Sequence, residues 1–69
     1  MKKVTYTNLL CYTIERLSDL ANAESERQEK AKELGATDLV AMLQSKIDEY
    51  TETIETVKTM YEIETGRKW

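Results

Sequence analysis

The amino-acid sequence predicts an all-α protein in which two long amphipathic helices fold back on each other as an antiparallel hairpin. The chain of 69 residues has no proline and only two glycines, Gly35 and Gly66, a composition typical of long helices interrupted once. Apolar residues recur at spacings of three and four on both sides of Gly35. Because the chain is short, residues 1–69 are expected to form a single helical-hairpin domain.

The first helix is predicted over about residues 7–34. Thr7 or Asn8 has a side chain that can cap the free backbone N–H groups at its start. An apolar stripe at helical spacing follows, made up of Leu10, Ile14, Leu17 and Ala21. Beyond this stripe the residues turn polar while helix propensity stays high, and a break near Ser25 is an alternative. The sequence leaves open whether this helix is continuous through residues 22–26.

The turn and the second helix are predicted from Gly35 onward. Gly35 suits the left-handed position just past a helix end, and Thr37 or Asp38 can cap the next helix. The second helix is predicted over about residues 38–65. It carries an unbroken heptad pattern formed by Val40, Leu43, Ile47, Tyr50, Ile54, Val57 and Tyr61. Gly66 is predicted to end it.

The apolar surface predicted on the second helix is wider than one antiparallel neighbour can cover. Folding back at Gly35 is expected to bring Arg27 near Ile47. In the same register Glu24 comes near Tyr50, so polar residues of helix one face the apolar stripe. The residues predicted to lie in an oligomer or partner interface are Leu39, Met42, Tyr50, Met60 and Ile63. We therefore expect a homo-oligomer, either a dimeric four-helix bundle or a higher assembly.

Length and cysteine content also favour association. A chain this short buries a smaller share of its surface than a larger domain does, and it is marginal as a monomer. Small proteins usually add disulfides, a metal or a partner chain. Cys11 is the single cysteine and histidine is absent, so neither an internal disulfide nor a structural zinc site is expected. Association with another chain is the stabilising device that remains.

The chemistry of the side chains predicts a protein that is not an enzyme and has no cofactor or metal site. Histidine, the usual general base, is absent. A lone cysteine needs a nearby base to act as a nucleophile, and Cys11 lies beside the apolar stripe, where it is expected to be a small core residue. The carboxylates of helix two lack the Glu-x-x-His arrangement of metal-binding bundles, so a solvated acidic face is expected.

Charge and hydropathy predict a cytoplasmic protein that binds neither membranes nor nucleic acids in general. The formal net charge of -3 disfavours contact with nucleic-acid phosphates. The longest apolar run is far below the ~20 residues that a membrane span needs. The segment after Met1 is polar rather than the apolar stretch of an export signal, and a lone thiol suits a reducing compartment.

Three functions fit these observations, and the first is a non-enzymatic interaction module. Such a helical module self-associates and binds or inhibits a partner protein, as regulators and inhibitors from mobile elements often do. No residue identifies that partner. The acidic surface of helix two is suited to a basic partner surface.

The second function is sequestration of a nucleotide by an oligomer. Antiparallel folding places both chain ends, with their basic and aromatic residues, at the end of the hairpin away from Gly35. Basic groups interleaved with aromatic rings suit phosphate contacts and base stacking. The residues predicted to contact such an anionic ligand are Lys2, Lys3, Tyr6, Tyr61, Arg67, Lys68 and Trp69.

The third function comes from a resemblance. The segment Gly35-Ala36-Thr37-Asp38 followed by Gln44-Ser45-Lys46-Ile47-Asp48 resembles the small helical-hairpin aspartyl-phosphate phosphatases of the sporulation phosphorelay. The second helix of that family carries a Ser-Gln-Glu-Leu-Asp signature, of which this chain keeps Asp48 and the apolar position Ile47. The resemblance covers about a fifth of the chain. It implies that Asp48 is the functional acid and that a phosphorylated response regulator is the target.

Overall fold

Two helices and one tight turn make up the part of the chain that the computed structural model describes, residues 5–69. Helix α1 spans Tyr6–Glu33 and helix α2 spans Thr37–Thr65. They pack antiparallel along their length in a rod of 46 × 26 × 14 Å. The radius of gyration of 15.3 Å exceeds the roughly 11 Å of a compact domain of this length. The all-α hairpin is confirmed, and both predicted helix ranges hold to within one residue.

The start of α1 is capped by Thr5, and the prediction that Thr7 or Asn8 forms the cap is wrong. The Thr5 backbone is extended, and its Oγ1 accepts a hydrogen bond from the backbone N–H of Asn8 at 3.1 Å. An N-cap residue needs this non-helical backbone, whereas Thr7 and Asn8 already lie within the helix. The helix runs through residues 22–26 without a break, so the alternative of a break near Ser25 is wrong.

The turn between the helices is a Schellman motif centred on Gly35. The backbone N–H of Gly35 donates to the carbonyl of Lys32 at 3.1 Å, and that of Ala36 donates to the carbonyl of Ala31 at 3.0 Å. These are the two hydrogen bonds that define the motif. Gly35 has a φ of 71°, in the left-handed region where a side chain is strained. The predicted helix end at Gly35 is confirmed.

Helix α2 follows directly after Ala36 and has no side-chain cap. The prediction that Thr37 or Asp38 caps it is wrong, because both residues already lie in the first helical turn. Asp38 there places a negative charge near the positive end of the helix dipole. At the far end Gly66 has a φ of 71°, and its N–H donates to the carbonyl of Glu62 at 2.8 Å. The predicted stop at Gly66 is confirmed.

The apolar core lies at the open end, meaning the end of the hairpin opposite the turn. Leu10, Ile14 and Val57 are buried together there. Half-buried residues pack around this group, namely Leu17, Ile54 and Tyr61. All six belong to the stripes that the sequence pattern predicts on the two helices.

The half of the hairpin next to the turn has a polar seam between the helices. Its buried positions are Glu24, Gln28 and Ala31 on α1 and Leu43 on α2. The Gln28 side-chain amide donates to the backbone carbonyl of Val40 at 3.2 Å and to Oε1 of Gln44 at 2.8 Å. Glu24 is buried in the seam, whereas the side chain of Arg27, predicted near Ile47, is 67% exposed. Gln28 takes the inward position one residue further on, and Arg27 is exposed.

Candidate interaction surface

The hairpin has two broad faces, one on each side of the plane that contains both helix axes. Successive residues of a helix are about 100° apart, so the neighbours before and after an inward residue lie on opposite faces. Because the helices are antiparallel, the residue before an inward position falls on the same face in both. The inward positions are Leu10, Ile14, Leu17, Ala21, Glu24, Gln28 and Ala31 on α1, and Val40, Leu43, Ile47, Tyr50, Ile54, Val57 and Tyr61 on α2.

One broad face, the apolar face, carries a row of large apolar side chains. Each of them directly precedes an inward position, and they are Leu9, Leu20, Leu39, Met42 and Met60. Met42 is 60% exposed and Met60 is 38% exposed, although both are large and apolar. Apolar side chains gathered on one exposed face are typical of a surface that binds another protein.

The other broad face, the acidic face, has a different character. Its charged residues directly follow inward positions, and they are Glu15, Glu29, Lys32, Asp48, Glu55, Lys58 and Glu62. Lys58 Nζ lies 3.8 Å from Oε1 of Glu55, and Lys32 Nζ lies 3.4 Å from Oε1 of Glu29. The apolar face instead carries mostly cations among its charged residues, which are Arg16, Arg27, Lys30, Lys46 and Glu49. The hairpin is therefore two-sided in both polarity and charge.

The five residues predicted to lie in an interface separate into three locations. Leu39, Met42 and Met60 lie on the apolar face. Ile63 is one helical turn beyond Met60 and further from the seam, where it is 79% exposed. Tyr50 occupies an inward position and is half-buried. The structure thus brings three of the five together on one face.

Sequence reasoning about an interface missed the contribution of α1 to the apolar face. Leu9 is exposed and Leu20 is half-buried, and both precede inward residues. Read on α1 alone, they are the edge of its apolar stripe. Leu9, Leu20 and Met42 each stand one residue before an inward position. This shared position places them on the same face only because the two helices pair antiparallel.

Glu24 is a buried acid in the polar seam. The residue is 6% exposed, and its Oε1 accepts a hydrogen bond from Nη1 of Arg27 at 2.6 Å. Its second oxygen, Oε2, has no hydrogen-bond partner within residues 5–69. A buried carboxylate oxygen without a donor is costly, so this atom is a place where a further donor stabilises the fold.

The open end places only some of the predicted anion-contacting residues together. The rings of Tyr61 and Trp69 meet edge to face, with centroids 5.2 Å apart and an interplanar angle of 86°. Tyr6, Arg67 and Lys68 are exposed. Lys2 and Lys3 lie outside the described residues. No pocket forms in the described part of the chain, and nucleotide binding stays a prediction.

The residues singled out for chemistry lie on the acidic face. Asp48 is exposed, and its Oδ1 accepts a hydrogen bond from the side-chain amide of Gln44 at 2.9 Å. Cys11 is half-buried and has a free thiol. Among residues 5–69, no three acidic or cysteine side chains lie together as a metal site would require. The phosphatase function implied by the resemblance stays a prediction.

Neither helix of the described chain is long and apolar enough to cross a lipid bilayer. No protein-family model matches the chain, and no curated protein or solved structure is significantly similar to it.

Proposed function

We propose that this chain is a small, non-enzymatic helical interaction module that self-associates through its apolar face and binds or inhibits a partner protein. The observation that carries the proposal is the exposure of Met42 and Met60 on the same face. Fully burying a side chain of this size contributes roughly 1.5–3 kcal/mol. A second copy that covers this face gains that contribution several times over, because the same residues are buried on both copies.

Self-association through the apolar face leaves the acidic face in solvent. The acidic residues there attract basic surfaces, and such complementarity raises association rates and selects among partners. The acidic face is therefore the surface that we assign to a basic partner protein. Binding of this kind suits a regulator or inhibitor, including one carried by a mobile element, because it needs no reacting group.

The molar mass in solution tests the self-association. We expect the wild-type protein to have at least twice the 8.0 kDa mass of the chain at micromolar concentration, by sedimentation equilibrium or light scattering. Met42→Glu places a charge on the apolar face and is expected to weaken association by about tenfold or more, which corresponds to roughly 1.4 kcal/mol. Ala41→Glu is the matched control, because Ala41 is adjacent, exposed and on the acidic face.

Two results contradict this proposal. One is a wild-type protein that is folded and monomeric throughout the micromolar range. The other is equal weakening by Met42→Glu and Ala41→Glu, because the loss would then follow from added charge rather than from the apolar face.

A further inference from the structure

The starting point is the unsatisfied oxygen of Glu24. The Glu24 side chain is 8% exposed, and Oε2 lacks a donor among the described residues. Arg27 stands one residue before the inward Gln28, which places Arg27 on the apolar face, and its guanidinium holds Oε1 at 2.6 Å. An arginine based on the apolar face therefore reaches this carboxylate. Oε2 itself is buried in the single hairpin, so a second arginine that approaches from the same side reaches it when the Glu24 side chain turns toward the apolar face.

The apolar face supplies a suitable arginine at a symmetric position. Arg16 and Glu24 lie four residues before and after Leu20, which places each of them about 6 Å from Leu20 along the helix. If a second copy lies antiparallel with its Leu20 opposite this Leu20, its Arg16 comes level with Glu24. The same symmetry brings Arg16 of the first copy level with Glu24 of the second.

Helix α2 has a symmetric pattern of its own, centred on Thr51. Met42 and Met60 lie nine residues before and after Thr51, and both are on the apolar face. In an antiparallel pair of α2 helices centred at Thr51, Met42 of each copy faces Met60 of the other. Both methionines, exposed in the single hairpin, are then covered.

The two centres of symmetry lie at the same height along the hairpin. Leu10 and Tyr61 belong to the same core group. Ten residues further along α1 from Leu10 is Leu20, and ten residues back along α2 from Tyr61 is Thr51. One twofold axis at this height therefore pairs Arg16 with Glu24 on α1. The same axis pairs Met42 with Met60 on α2.

We propose that the partner on the apolar face is a second copy of this chain, packed face to face and antiparallel about an axis at the height of Leu20 and Thr51. In this dimer the Glu24 side chain turns toward the apolar face, Arg16 of each copy donates to Oε2 of Glu24 in the other copy, and Met42 packs against Met60. This inference rests on the proposed self-association and adds its register and its buried ion pair. Glu24 then lies between its own Arg27 and the other copy's Arg16, which offsets part of the positive charge that the two faces bring together.

The register is tested by disulfide formation between singly substituted chains. In a Cys11→Ser background, Met42→Cys and Met60→Cys proteins are mixed and oxidised gently. A disulfide joins only side chains that are directly apposed, so the mixed disulfide is expected to exceed both homodisulfides severalfold. The matched control mixes Gln44→Cys with Lys58→Cys, which are also symmetric about Thr51 but follow inward positions on the acidic face. No preferred disulfide is expected there.

The ion pair is tested by a double-mutant cycle on the dimer dissociation constant. Arg16→Gln and Glu24→Gln are each expected to raise that constant about tenfold or more, and the double variant is expected to lose little beyond either single one. Lys32→Gln and Glu26→Gln are the exposed controls, with circular dichroism to verify that every variant keeps its helix content. If Arg16 and Glu24 had purely structural roles, each substitution would change the stability of the fold. The two substitutions would not show coupled effects on the dimer dissociation constant.

The outcomes separate the two proposals. A monomeric wild type overturns both the self-association and this register, and binding of an acidic amphipathic peptide to that monomer would assign the apolar face to another partner. A stable dimer without the preferred Met42–Met60 linkage overturns the register alone. Effects of Arg16→Gln and Glu24→Gln that are fully additive overturn the ion pair.

Discussion

The two halves of the hairpin use the same pair of helices but are held together by different interactions. At the open end, Leu10, Ile14 and Val57 are buried together in an apolar contact. Next to the turn, Gln28 bridges the helices through hydrogen bonds to Val40 and Gln44. The turn half has a covalent link of three residues, so little entropy is lost when its helices meet, and a polar seam suffices there. The open end has no such link and depends on apolar burial.

The comparison also shows what each half contributes to specificity. Apolar contacts are non-directional and tolerate small shifts of one helix along the other. The Gln28 amide, in contrast, needs the Val40 carbonyl and the Gln44 side chain at defined distances. We infer that the open end supplies most of the stability of the hairpin, and that the turn half fixes how the two helices are aligned.

The largest expected effect is that of Ile14→Ala in the open-end core. Ile14 is 2% exposed, and truncating a fully buried isoleucine costs about 2–5 kcal/mol. Urea unfolding followed by circular dichroism, at a fixed protein concentration, measures the change in free energy of unfolding. Leu34→Ala is the control, because Leu34 is 83% exposed and its truncation is expected to change little. A loss for Ile14→Ala below about 1 kcal/mol would break the comparison.

An intermediate effect is expected for Gly35→Ala in the turn. An added Cβ meets no atom within 4 Å, so the cost comes from the left-handed backbone alone, about 1–2 kcal/mol. Gly66→Ala is a closely matched control with the same φ of 71° and the same open surroundings. Because Gly66 ends only the last turn of α2, fraying relieves its strain and a smaller loss is expected. Equal losses of unfolding free energy in the two variants would show that the turn is not the critical link.

The smallest effect is expected for Gln28→Leu in the polar seam. The variant gives up two hydrogen bonds and gains apolar contact, while the exposed Gln44 amide can bond to water instead. We expect the free energy of unfolding to change by less than about 1 kcal/mol in either direction. The same urea titration measures it, with Glu29→Leu on the exposed surface as the control. A loss as large as that of Ile14→Ala would reverse the proposed division between the two halves.

The sequence predicted most of the fold, because periodic burial and glycine chemistry are local signals. The heptad pattern of α2 and the stripe from Leu10 to Ala21 identified the inward line at the open end. Gly35 and Gly66 marked both helix ends, since a left-handed residue after a helix strongly favours glycine. These features depend on the order of residues along one helix and not on what the other helix does.

The other features of the fold and the candidate site depend on how the two helices pair. The apolar stripe of one helix does not reveal that pairing. Helical spacing continues the α1 stripe through Gln28, whereas folding back at Gly35 predicts Arg27 near Ile47, and the pairing of the helices decides between the two. The cap at Thr5 depended on where the backbone leaves the helical conformation, since Thr5, Thr7 and Asn8 all have side chains that can cap a helix. The apolar face and the unsatisfied oxygen of Glu24 became visible only when both helices were placed side by side.

The 14 Å thickness of the rod has a consequence for how this protein is shielded from water. A single helix with its side chains is already about 10–12 Å across, so the molecule is one layer deep. Its interior is a line of contacts rather than a volume, and half of the inward side chains along that line are still partly exposed to solvent. Stacking a second layer on either flank would turn that line into a solid centre without altering the path of the backbone.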